Sequence, residues 1–126
     1  MNHGKKIEYN GNFVTVLDKE YPEKLRKLQY APWILFYEGN LALLDRKSAG
    51  IIGSRDASEK GVEMCRTLCR HLSNKYVVVS GLAKGIDSIA HQCSLNRGTI
   101  GVIGCGLDVI YPKQNEALYK TMRRII

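Results

Sequence analysis

The chain has 126 residues, 44% of them hydrophobic and 25% charged, and a net charge of +7. That length suits one domain with a core of its own, and that composition excludes a disordered tail or a collagen-like fibre. No apolar run approaches the roughly 18 residues of a membrane span. Met1 to Asn12 holds lysines without the apolar stretch of a secretory leader, so a cytoplasmic protein with no membrane partner is expected.

The basic excess is uneven. Residues 1–54 carry eight basic and six acidic side chains, whereas residues 55–126 carry eleven and six. A surplus of that kind favours polyanionic partners, nucleic acid above all. The four cysteines, at 65, 69, 93 and 105, contain no C-x-x-C pair. Zinc-ribbon and thioredoxin readings therefore lack their signature, and no metal is expected. Buried thiols in a reducing compartment account for all four.

Phe13 to Leu17 is β-branched and aromatic and reads as a short strand. Tyr21-Pro22 opens a short helix to about Leu28, and Trp33 to Tyr37 is a second apolar run. Residues 1–46 are expected to form a lead-in segment packed on a domain spanning 47–126. From residue 48 onward, short apolar strands alternate with longer helical segments. Ala49 to Ile52, Tyr76 to Val79 and Thr99 to Ile103 are the expected strands. The helix from Asp56 to about Lys75 carries Cys65, Leu68, Cys69 and Leu72 as a stripe, with Asp56 and Glu59 resembling a capping box. The next helix places Ile86, Ile89, Ala90 and Cys93 on one face and ends towards Gly98. A last helix, after Tyr111-Pro112, aligns Leu118, Met122 and Ile125. This alternation predicts an α/β fold: a Rossmann-like parallel sheet with right-handed βαβ crossovers.

Each strand ends in a glycine-bearing turn: Gly53-Ser54, Ser80-Gly81 and Gly104-Cys105-Gly106. In a parallel sheet these turns share the carboxyl edge, where open α/β folds bind ligands. Glycine lets backbone N–H groups approach an anion, and helix N-termini add positive dipole ends. Arg55 follows the first turn and Lys84 the second, so both are expected on that edge, Arg55 as a bidentate fork and Lys84 as a mobile charge. Asp87 and His91 lie four apart on one helix face. They are read as a structural pair, Asp87 bracing the helix start and orienting His91. No G-x-G-x-x-G follows the first strand, which argues against a nicotinamide dinucleotide, and no cofactor is expected.

The residues Ile51-Ile52-Gly53-Ser54-Arg55 with Ser58 and Gly61, then Ser80-Gly81-Leu82-Ala83-Lys84-Gly85-Ile86-Asp87 and Ala90-His91, resemble the DNA processing protein A (DprA, or Smf) family. Gly104-Cys105-Gly106-Leu107-Asp108 and Tyr111-Pro112 continue the likeness in order, and it covers residue 13 to the end. The resemblance implies single-stranded DNA binding without catalysis, acting in natural transformation and in loading of the recombinase RecA. It implies backbone contacts from Arg55 and Lys84. The wider expected phosphate-binding set is Gly53, Ser54, Ser58, Ser80, Gly81, Gly85, Gly104 and Gly106. The family domain also holds further strands, basic residues and a dimer surface. The chain is therefore expected to be a fragment or a shortened homologue, missing one wall of its crevice and prone to homo-oligomerise through an open edge. The alternatives are a nucleotide-binding Rossmann enzyme of the nucleoside monophosphate phosphoribohydrolase type, whose proline-glycine-glycine and glutamate motif is not found here, and a shortened non-functional homologue.

Overall fold

The computed structural model describes residues 12–104 and 112–125, with side chains to Met122. Strands β1 (Asn12–Thr15) and β2 (Ile34–Tyr37) pair antiparallel, with Phe13 opposite Phe36. β1 ends two residues short of the expected Leu17 because Asp18 turns the chain. Its carboxylate accepts from the Thr15 N–H at 2.7 Å and from the Thr15 hydroxyl at 3.0 Å. Helix α1 (Glu23–Arg26) is a single turn, shorter than expected. Behind it Tyr21 is buried, its hydroxyl donating to the Pro32 carbonyl at 2.7 Å and its ring lying under the Arg26 guanidinium.

A separate sheet of three parallel strands follows, in the order β3 (Ser48–Gly50), β4 (Val77–Ser80), β5 (Thr99–Gly101). Helices α2 (Glu59–Leu72) and α3 (Ile86–Ser94) make the two crossovers, and α4 (Glu116–Ile125) closes the described chain. The Rossmann-like α/β architecture is therefore present. Ala49, Val78 and Thr99 lie side by side in the register and face α2 and α3. Ile51, Cys65, Cys69, Val78 and Ala90 form the core beneath those helices. Leu82, Leu118, Tyr119 and Met122 form a second cluster that fixes α4.

Two local expectations are corrected. The helix α2 starts at Glu59 and is capped by Ser58, whose Oγ accepts from the Gly61 N–H at 3.1 Å. Asp56 is not the cap, because its own N–H is drawn back to the Ser54 hydroxyl. Leu68 leaves the expected stripe and is 54% exposed, while Cys65 and Cys69 are buried. Three residues at roughly 100° each carry Leu68 round to the flank of a contact made by small side chains. The Trp33–Tyr37 run pairs with β1 and does not cover the parallel sheet's outer edge.

The thiols behave as core groups. Cys69 Sγ donates to the Ala90 carbonyl and Cys65 Sγ to the Ile86 carbonyl. Burial pushes the Cys69 thiol up to about 11 and raises Cys65 as well. Gly98 takes a left-handed φ of +110° just past α3, its N–H bonded to the Ser94 carbonyl. Cys105, Gly106 and Tyr111 lie outside the described residues, as does the side chain of Ile125. Among the described residues no helix is long and apolar enough to cross a membrane.

Candidate functional site

The loops that leave the carboxyl ends of β3, β4 and β5 surround a cleft of about 540 Å³. Arg55 and Asp56 come from the first loop, Gly81, Ala83 and Lys84 from the second, and Ile103 and Gly104 from the third. Pro112 and Tyr119 close the side next to α4. The cleft thus has a cationic half and an apolar half. Arg55 and Lys84 are both exposed, and among the described residues neither forms an ion pair. Two crossovers therefore bring two cations to one opening, with Asp56 as the single carboxylate among the described residues of its lining.

The remaining expected residues shape this opening from behind. The first two loops interlock. The Ser54 carbonyl accepts from the Ile86 N–H at 3.2 Å, which ties the first turn to the start of α3. Gly85 has a φ of +75°, and a Cβ there would fall onto the Ser54 carbonyl oxygen. Gly53 lies directly against Ile86, whose side chain a Cβ would meet at 2.7 Å. Ser80 is buried and donates to the Ile51 carbonyl at 2.6 Å, cross-linking β3 to β4 below the cleft. Ser58 serves as the α2 cap, and Gly104 has open space where a Cβ would stand. Gly106 lies outside the described residues.

The second loop is held by three polar side chains. Asp87, buried at the start of α3, accepts from the Gly81 N–H at 3.2 Å and the Ala83 N–H at 3.4 Å. Those N–H groups are thereby taken by the protein's own carboxylate. The Gly81 N–H, expected to face an anion, is therefore engaged within the protein, and the charged group that this loop presents to the cleft is the Lys84 side chain. Asp87 does brace the helix start, but it does not orient His91. The His91 Nε2 accepts from the Leu82 N–H at 3.3 Å, so its Nδ1 carries the proton and donates to Thr99 Oγ1 at 2.7 Å. The Thr99 hydroxyl in turn donates to the Val78 carbonyl. Burial lowers the His91 pKa to about 4 against the opposing pull of the Asp87 carboxylate, and the ring stays neutral near pH 7.

Asn115 is the third clamp and was not anticipated. Its amide donates to the Leu82 carbonyl at 2.8 Å and the Ala83 carbonyl at 3.2 Å. Leu82 needs that support, being a non-glycine residue in the left-handed region, with φ at 60°. The apolar lining by Ile103, Pro112 and Tyr119 was also unassigned. Among the described residues no three His, Cys, Asp or Glu side chains gather to hold a metal ion.

Comparison with known proteins gives a consistent picture. The family of the DNA recombination-mediator protein A matches residues 12–125. The DNA processing protein DprA of Streptococcus pneumoniae is 47% identical over 106 residues, covering 82% of this chain and 38% of that protein. DprA of Bacillus subtilis is 36% identical over 117 residues, covering 90% of this chain and 39% of that protein. The crystal structure of the pneumococcal DprA superposes with a TM-score of 0.84 at 43% identity, over 90% of this chain and 41% of that one. A Helicobacter pylori DprA structure, described for its single-stranded DNA binding mode, gives 0.74 at 33% identity, over 92% and 52%. The chain spans about two-fifths of the length of the two curated relatives.

Proposed function

Since this chain belongs to the DNA recombination-mediator protein A family, we propose that it binds single-stranded DNA at the carboxyl-edge cleft. Arg55 and Lys84 neutralise phosphates there, the arginine as a two-pronged donor and the lysine as a mobile charge. The observation that carries this reading is the convergence of these two exposed cations, neither of them ion-paired among the described residues, on one cleft. Gly53, Ser54, Ser58, Ser80, Gly81 and Gly85 contribute by fixing the loops, and Gly104 by keeping the opening clear. The single-stranded DNA binding described for the Helicobacter pylori relative supports the same ligand. Within DNA processing, the chain acts as a cytoplasmic binding module in natural transformation, with the recombinase RecA as the protein partner that it helps to load.

The site is not catalytic. Asp87 and His91, the candidate acid–base pair at the start of α3, are both spent on holding the second loop. Fluorescence anisotropy with labelled single-stranded and duplex oligonucleotides tests the proposal. Saturable binding that prefers the single strand is expected. In parallel, nucleoside monophosphates incubated with the protein should release no base above background. Absence of oligonucleotide binding, or base release that vanishes in Asp87→Asn, would sink the proposal.

A further inference from the structure

We infer that the amino edge of the parallel sheet, opposite the cleft, is a second nucleic-acid site, where Lys24, Arg46, Lys47, Lys75 and Arg97 receive a run of backbone phosphates. Each parallel strand is entered through a cation. Lys47 precedes β3, Lys75 stands two residues before β4, and Arg97 two before β5. The Lys47 carbonyl accepts from the Val77 N–H at 2.9 Å and the Gly98 carbonyl from the Val78 N–H at 3.3 Å, so the strand order extends to these entries. Carried back along the chain, the register sets Lys47 beside Tyr76 and Tyr76 beside Arg97. Neighbouring strands lie roughly 4.8 Å apart. The entries therefore line up as a cation, a half-buried tyrosine and a second cation.

The lead-in segment adds two more charges to the same edge. Arg46 Nη1 donates to the Arg97 carbonyl at 3.3 Å, and Lys24 Nζ donates to the Arg46 carbonyl. Those bonds satisfy donors and leave the charge in place. All five residues are exposed, and among the described residues none forms an ion pair. The opposing negative charge is small. Glu23, next to Lys24, is already paired with Arg26 at 2.8 Å. Asp45 adds one charge, and the carbonyl ends of α2 and α3 add roughly half a charge each. Five cations held together against that background repel one another, and a bound polyanion relieves the repulsion.

The chemistry of this edge favours nucleic acid over an acidic protein. Protein interfaces are anchored by a desolvated apolar or aromatic centre. The large apolar side chains that the chain exposes, such as Trp33, Ile52, Met64 and Val102, belong to other segments. What the amino edge presents is charge spread along a row with one aromatic ring in it, a combination suited to a phosphate backbone. The cleft lies at the other ends of the same strands, so the two sites can hold separate stretches of DNA. The amino-edge site does not depend on the cleft reading.

Anisotropy titrations with a labelled single-stranded oligonucleotide at several salt concentrations test it, in the wild-type and Arg55→Ala/Lys84→Ala backgrounds. Lys47→Gln/Lys75→Gln/Arg97→Gln removes three exposed charges and leaves Lys24 and Arg46 to keep their backbone bonds. Its circular dichroism should match wild type. At about 0.7 per contact on a single strand, the slope of log K against log salt should fall by about two in both backgrounds. The control Lys19→Gln/Lys27→Gln, which removes exposed charge elsewhere in the lead-in segment, should keep the slope of its parent. Unaltered slopes for the triple variant in both backgrounds overturn the inference. So does a comparable loss in the control, which would mean diffuse attraction to net charge. Poly-glutamate that displaces the oligonucleotide from Arg55→Ala/Lys84→Ala more readily than unlabelled oligonucleotide does also overturns it, by assigning the edge to an acidic protein segment. A loss in the triple variant beside wild-type binding by Arg55→Ala/Lys84→Ala would uphold the amino edge and remove the cleft.

Discussion

Gly85→Ala should lower the stability of the fold by on the order of 3 kcal/mol and weaken DNA binding with it. The backbone at Gly85, with φ at 75° and ψ at −127°, lies in a region open in practice to glycine alone, and an alanine there costs roughly 1–3 kcal/mol in strain. The added methyl would also drive into the Ser54 carbonyl and the Arg55 backbone. Relieving that overlap means separating the first loop from the second, which breaks the Ser54–Ile86 hydrogen bond and turns Arg55 away from Lys84. The melting temperature should fall by roughly 10 °C or more. Gly104→Ala is the control, because nothing lies within 4 Å of its Cβ position, and it should melt close to wild type. Circular dichroism melts of the two variants make the comparison. Equal melting of Gly85→Ala and wild type would show that the two loops are not interlocked.

The second large effect is a loss of stability in mild acid that originates at His91. In the folded chain this ring is fully buried, neutral and bonded at both nitrogens, with a pKa lowered from 6.5 to about 4. In the unfolded chain it titrates normally. Between those two values the unfolded state binds the extra proton, so folding loses free energy as pH falls from 6.5 towards 4. A difference of that size corresponds to about 3 kcal/mol, fully spent once the pH is below the folded value. His91→Gln keeps an acceptor for the Leu82 N–H and removes the titrating group. The variant should be less stable at pH 7 but show a much flatter dependence on pH over this window. Urea unfolding at several pH values decides it. Parallel profiles for wild type and His91→Gln would mean that the acid sensitivity arises elsewhere.

The three parallel strands and their crossovers were legible because a sheet covered on both faces is written as unbroken apolar runs, such as Val77 to Val79, punctuated by glycine. Strand ends were not: Thr99 to Ile103 looks uniform in sequence, yet β5 ends at Gly101, where the chain leaves the sheet to line the cleft. Arg55 and Lys84 could be picked out because each follows a glycine turn that must lie on the carboxyl edge. The clamps were hidden for a different reason. Asn115 bonds to residues 33 and 32 positions away, a closure that no local spacing encodes. Asp87 stands four residues before His91, and helical spacing suggested that they touch. The structure instead spends Asp87 on the Gly81 and Ala83 N–H groups and His91 on that of Leu82, because that loop, with Leu82 in the left-handed region, has donors that must be satisfied away from water.

The central claim, that Arg55 and Lys84 are the phosphate-binding groups of the cleft, is tested most directly by the salt dependence of single-stranded DNA binding. Each phosphate neutralised releases counterions, so log K falls with log salt by about 0.7 per contact on a single strand. Anisotropy titrations at several salt concentrations should show a shallower slope for Arg55→Ala and for Lys84→Ala, by about one contact each, and a further reduction in the double variant. Slopes equal to wild type in all three variants would contradict the claim and place the DNA on another surface.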